Sequence, residues 1–175
     1  MKRSKKLFTN TTLILLFLAI IYYLGGFYLS KEQCILETIR GLYGTETEMV
    51  MELTNHNRTI TLMTNLEEKT ISIVGTKKIG FLYQTDSSFI GNTIDEERTI
   101  DISGKYDKDV GMAIFIYRND KSICQIELSL DSGNTIVFND WQKDFTGCLI
   151  ETTDWQNGTY KAYDSNGTLI EEVYY

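Results

Sequence analysis

The sequence predicts an α+β, mainly β fold: an N-terminal transmembrane helix, a short amphipathic helix, then a bent or partly closed antiparallel sheet in meander order. Three observations carry that expectation. No charged residue stands between Leu7 and Ser30, eleven Tyr and eight Phe favour extended chain, and turn-forming clusters recur through the second half. Proline is absent, so glycine, asparagine and aspartate must do the turning.

Met1 to Lys6 carries the basic side chains Lys2, Arg3, Lys5 and Lys6, and the apolar run Leu13 to Leu29 follows closely. At about 1.5 Å per residue, a helix from Leu7 to Leu29 would cross a hydrocarbon core of roughly 30 Å. Basic residues on the N-terminal flank alone orient such a single-pass signal-anchor with its tail in the cytoplasm and the rest outside. Tyr22, Tyr23 and Tyr28 match an interfacial aromatic belt. Bulky residues around Gly25-Gly26 favour a retained anchor at the cell membrane; secretion after cleavage at that glycine pair is the alternative. Cys34 follows Lys31-Glu32-Gln33 and not small residues, so lipidation is not expected.

The chain therefore divides into a basic tail and anchor, 1–30, and a single extracytoplasmic β-rich domain, 31–175, large enough for one core. Net charge is −7 with four basic residues in the tail, which leaves −11 for the domain. A surface that acidic repels phosphate backbones and anionic head groups, so neither nucleic acid nor peripheral membrane docking is expected.

Ser30 and Gln33 have capping-box spacing, and Cys34, Ile35, Thr38, Ile39 and Leu42 recur at three and four, which predicts a helix over Lys31 to Leu42. Its apolar face needs a sheet to lie on. Glu46 to Leu53 and Arg58 to Thr64 read as a hairpin about Thr54-Asn55-His56-Asn57. Alternation there sets Thr47, Met49, Met51 and Leu53 against Glu48, Val50 and Glu52. Lys69 to Gly75 and Lys78 to Thr85 read as two more strands joined at Thr76-Lys77, with Asp86 to Arg98 a polar loop. Met112 to Arg118, Ser122 to Leu130, Asn134 to Trp141, Thr146 to Thr152, Thr159 to Tyr163 and Thr168 to Tyr174 follow as strands, separated by turn signals that predict a meander. Alternation places Cys124, Ile126, Leu128 and Leu130 on one face. Asn166-Gly167 predicts a two-residue turn in a C-terminal hairpin that belongs to the core.

The run Lys77-Lys78-Ile79-Gly80-Phe81-Leu82-Tyr83, the stretch Ile114 to Leu130, and Trp155 to Ile170 with its end Tyr163-Asp164-Ser165-Asn166-Gly167-Thr168-Leu169-Ile170 resemble a loose group of small, uncharacterised, single-pass extracytoplasmic proteins of Gram-positive bacteria. The resemblance implies location and fold class and transfers no site. The C-terminal segment is also similar to a MORN-type repeat; about one and a half units cannot bury a repeat core, so it reads as a hairpin.

His56 is the sole histidine and sits in a turn, without the further groups that a triad or a zinc site needs. No phosphate-cradling glycine motif occurs, and no cofactor is expected. Two carboxylates suffice for glycoside hydrolysis; the candidates are Glu151 with Asp154 and Asp140 with Asp144, beside Trp155 and Trp141. Tyr106-Asp107-Lys108-Asp109-Val110-Gly111 resembles a calcium loop but lacks the third acidic position and the distal glutamate. Cys124 and Cys148 are a candidate disulfide across neighbouring strands, with Cys34 left over; three free thiols are the alternative. The expected role is thus a non-enzymatic binding, immunity or sensing module with a protein or peptide partner at the envelope. A small envelope-acting hydrolase using paired carboxylates is the alternative.

Overall fold

The computed structural model describes residues 2–43, 47–65, 67–107, 109–130, 133–150 and 158–174. The chain is mainly β, in antiparallel sheets with two helices, as expected. Helix α1 spans Lys2–Leu24 and helix α2 spans Lys31–Tyr43. Between them the short strand β1, Phe27–Tyr28, follows a turn in which Gly26 takes the left-handed φ of 63°. The expected span from Leu7 to Leu29 is thus not one helix. Among the described residues no helix is long and apolar enough to cross a membrane.

The remaining strands are β2 (Glu48–Asn55), β3 (Arg58–Asn65), β4 (Thr70–Ile79), β5 (Leu82–Thr93), β6 (Ile100–Asp107) and β7 (Gly111–Arg118), then β8 (Gln125–Leu130), β9 (Thr135–Phe138), β10 (Phe145–Ile150), β11 (Gly158–Tyr163) and β12 (Leu169–Tyr174). They form three sheets, ordered β1-β5-β4-β3-β2, β10-β7-β6 and β12-β11-β8-β9. The first sheet is a meander, but the second half is not. Strand β10 returns to pair with β7, and β11 returns to pair with β8, so the consecutive strands β7 and β8 lie in different sheets.

Helix and sheets stack in succession. The Ser30 Oγ accepts a hydrogen bond from Gln33 N at 3.1 Å and starts α2. The helix then seats Ile35 and Ile39 on Met63 and Val74. The opposite face of that sheet (Ile60, Leu62, Ile71, Ile73) packs on Ala113, Phe115 and Phe145 of the three-stranded sheet. Met112, Ile114 and Ile116 on the other face of β7 meet Ile126, Leu128, Tyr160 and Ala162 of the third sheet. Strand β7 is therefore buried on both sides, which is why it reads as an unbroken apolar run. Each such side chain contributes about 1.5–3 kcal/mol by leaving water.

Several local expectations are corrected. Thr76-Lys77 lies inside β4; the turn is Gly80-Phe81, with Gly80 at φ +64°. Gly75 imitates a turn signal, yet it serves close packing: a Cβ there would meet Ser87 Oγ at 2.7 Å. Most of the polar stretch after Thr85 continues β5 to Thr93, tolerated because beyond β1 this strand is a sheet edge. Strand β6 has no counterpart among the expected elements. A bulge at Val50 breaks the alternation of β2, burying Val50 and leaving Met49 half exposed. Cys124 is exposed, although Ile126, Leu128 and Leu130 are buried. The C-terminal loop is longer than two residues: Asp164 N bonds Thr168 O, and Asp164 Oδ1 accepts from Asn166 N and Thr168 N at 2.8 Å each. A bulge at Ile170 exposes Leu169 and pairs Glu171 with the buried Ala162. Strand β12 thus carries a bulge and an inward carboxylate, two devices that keep a sheet edge from pairing with other chains.

Candidate functional site

Arg58 begins β3, immediately after the His56-Asn57 turn, and is 9% exposed in the gap between the first two sheets. Its guanidinium donates to Asp86 of β5, to Asp107 of β6 at 3.0 Å, and to Asp109 of the β6–β7 turn. Asp107 also accepts from Asp109 N at 2.8 Å, which shapes that turn. Half-buried Lys105 lies near Asp107 and Asp86; burial pushes its ammonium pKa down, and the two carboxylates oppose the shift. Three carboxylates thus share two cations in a partly desolvated seam. The cluster is an electrostatic clasp between two layers. It also accounts for the calcium-like stretch Tyr106 to Gly111, because Asp107 and Asp109 are taken by the guanidinium. Among the described residues no group of three His, Cys, Asp or Glu could hold a metal ion.

A second ionic cluster closes the far end of β7. Arg118 Nε bonds Asp144 at 3.0 Å, its guanidinium donates to Ile123 O at 2.6 Å, and it stacks 4.5 Å above the Trp141 ring. Lys121 also bridges to Asp144. Partial burial raises the Asp144 carboxyl pKa, but the hydrogen bonds and charges of Lys121 and Arg118 more than offset this and hold it below the ordinary range. A carboxylate so held is no proton donor at neutral pH, and Asp140, its expected partner, is exposed. The other candidate pair, Glu151 and Asp154, lies outside the described residues.

His56 is exposed in the left-handed conformation at φ 54°, its Nδ1 against the Asn55 side chain. The three cysteines are free thiols. Cys124 precedes β8 and Cys148 lies in β10, so the strands expected to carry a bridge are not neighbours. Burial pushes the Cys148 thiol pKa up to about 12. Burial also raises that of Cys34, against a 3.4 Å contact with Thr85 Oγ1 that lowers it. Neither is a nucleophile near neutrality.

Among the described residues lie two further concave surfaces. A groove of about 380 Å³ is lined by Cys124, Gln125, Glu127, Tyr163 and Asp164, and within it Glu127 accepts from Gln125 at 3.0 Å and from Tyr163 OH at 3.3 Å. A cleft of about 460 Å³ lies where α1, β1 and α2 meet, lined by Tyr22, Phe27, Tyr28, Gln33 and Glu37. Missing from any reading of the sequence were Arg58 as the hub and β1 as a strand; a lone arginine after a turn carries no local signal of either. Compared with protein-family models, with curated proteins and with solved structures, the chain finds no match.

Proposed function

We propose that this chain is a single-pass, membrane-anchored extracytoplasmic protein, its N-terminus inside, whose β domain binds a protein or peptide partner at the envelope without enzymatic chemistry. One observation carries the anchor. Leu13, Ile14, Leu15, Leu16 and Phe17 are consecutive in α1 and each 58–62% exposed, so this stretch of the helix is apolar on every side. A helix apolar all round belongs in lipid or in a large core, and among the described residues the main packing partner of α1 is the two-residue strand β1. The uncharged part of α1, Leu7 to Leu24, rises about 27 Å against a hydrocarbon core of roughly 30 Å. Local thinning accommodates a deficit of that size. The basic residues of Met1 to Lys6 set the orientation.

For the domain, the buried guanidinium of Arg58 is committed to a clasp between layers, which favours recognition over catalysis. Protease added to intact protoplasts expressing the full chain tests the topology: the domain is removed and a fragment containing α1 is retained. A full-length chain that survives, or a chain found free in the medium, overturns it.

A further inference from the structure

We infer that the tip of the β4–β5 hairpin is a second membrane contact, inserting Phe81 into the head-group region of an anionic bilayer; this rests on the anchor reading above. The tip is apolar and open: Phe81 is 76% exposed and Ile79 42%. Lys77 and Lys78 stand directly before them, a basic pair on a domain whose charge is otherwise strongly negative.

The register places this tip beside the anchor. Strand β1, which begins three residues after α1 ends, pairs Phe27 with Gln84 and Tyr28 with Tyr83. Gln84 Nε2 also donates to Gly25 O at 3.0 Å, tying the last turn of the anchor to the hairpin. From Gln84 to Phe81 is three residues, about 10 Å along a strand. Beyond Gln84 in the other direction β5 runs on to Thr93. The tip of the hairpin therefore stands within about 10 Å, along β5, of the point at which Gly25 is tied to it. With α1 in the bilayer, Phe81 stands at the height of the head groups, where aromatic rings settle, and Lys77 and Lys78, on opposite faces of β4, flank it with positive charge that lipid phosphate attracts. Leu24 and Leu29, on either side of β1, are also open, at 79% and 64% exposure.

The test uses the full chain in nanodiscs of phosphatidylcholine and phosphatidylglycerol in equal parts, with bromine high on the acyl chains as a fluorescence quencher. Single Phe81→Trp, Leu24→Trp and Val137→Trp variants are compared with the parent, Val137 lying exposed on the third sheet. The added emission of Leu24→Trp and of Phe81→Trp should be quenched and that of Val137→Trp should not. Lys77→Gln with Lys78→Gln, added to Phe81→Trp, should lower the inserted-to-free ratio of the tip by more than about tenfold, at roughly fivefold per lysine. Replacing phosphatidylglycerol by phosphatidylcholine should do the same. Quenching of Leu24→Trp without quenching of Phe81→Trp overturns the tip contact and leaves the anchor standing. Absence of quenching in both removes the anchor and the tip contact with it.

Discussion

Replacing Arg58 by Met tests whether the three-carboxylate cluster is a clasp. The substitution keeps most of the aliphatic volume and removes the charge, so the loss falls on the carboxylates left behind. They differ in access to water: the side chain of Asp107 is 11% exposed, Asp86 30% and Asp109 48%. Breaking a buried pair by removing one partner costs about 3–5 kcal/mol. Two of the three carboxylates can hydrate, and Lys105 remains near Asp107, so the low end applies, about 3 kcal/mol. A domain stability of about 5–15 kcal/mol would survive that, barely or comfortably. Urea unfolding followed by tryptophan fluorescence should move its midpoint down by about 1.5 M at an m-value near 2 kcal/mol/M. Adding Asp107→Leu to Arg58→Met should recover most of the loss, because an apolar pair costs no desolvation. A shift under about 0.5 M, worth about 1 kcal/mol or less, would mean that the carboxylates are solvated and the clasp does not exist.

The thiols should separate cleanly under maleimide: Cys124 reacts in the native protein, whereas Cys34 and Cys148 react only after unfolding, as read by intact mass. A mass two protons lighter without reductant would show a bridge and refute the free-thiol assignment. At Gly147 a Cβ would stand 2.5 Å from Ile114 O and 3.2 Å from Met51 Sδ, so Gly147→Ala should cost about 1–3 kcal/mol by forcing β10 off β7; an unchanged melting temperature would refute that packing. Asp144 has a native pKa below its unfolded value, so its contribution is fully present above about 3.9 and is lost as pH falls through the lower native value. Asp144→Asn should therefore destabilise at neutral pH and converge with the parent in acid. A gap that persists at low pH would mean the residue acts through its turn, where it holds φ 69°, and not through its charge.

Features carried by short-range patterns were legible in the chain alone. The Ser30 cap and the three-and-four spacing of Cys34, Ile35 and Ile39 specify α2 and the face it buries. The His56-Asn57 turn specifies the β2–β3 hairpin, and period-two alternation specifies the buried row Ile126, Leu128, Leu130. Each is a contest between local conformers, decided within one turn of helix or one hairpin. Which hairpins become neighbours is decided by how apolar faces share a core, and only the folded chain states it. Turn residues announce a reversal equally well whether β10 stays beside β9 or crosses to β7. Gly75 and Gly80 look alike in sequence; one admits Ser87 and the other turns the chain. The candidate site shows the same limit most clearly. Asp86, Asp107 and Asp109 are 28, 49 and 51 residues from Arg58, and each alone reads as an ordinary turn former. Their convergence comes from stacking two sheets, a long-range event whose only trace in one sequence is a charge that, once buried, must find its partners.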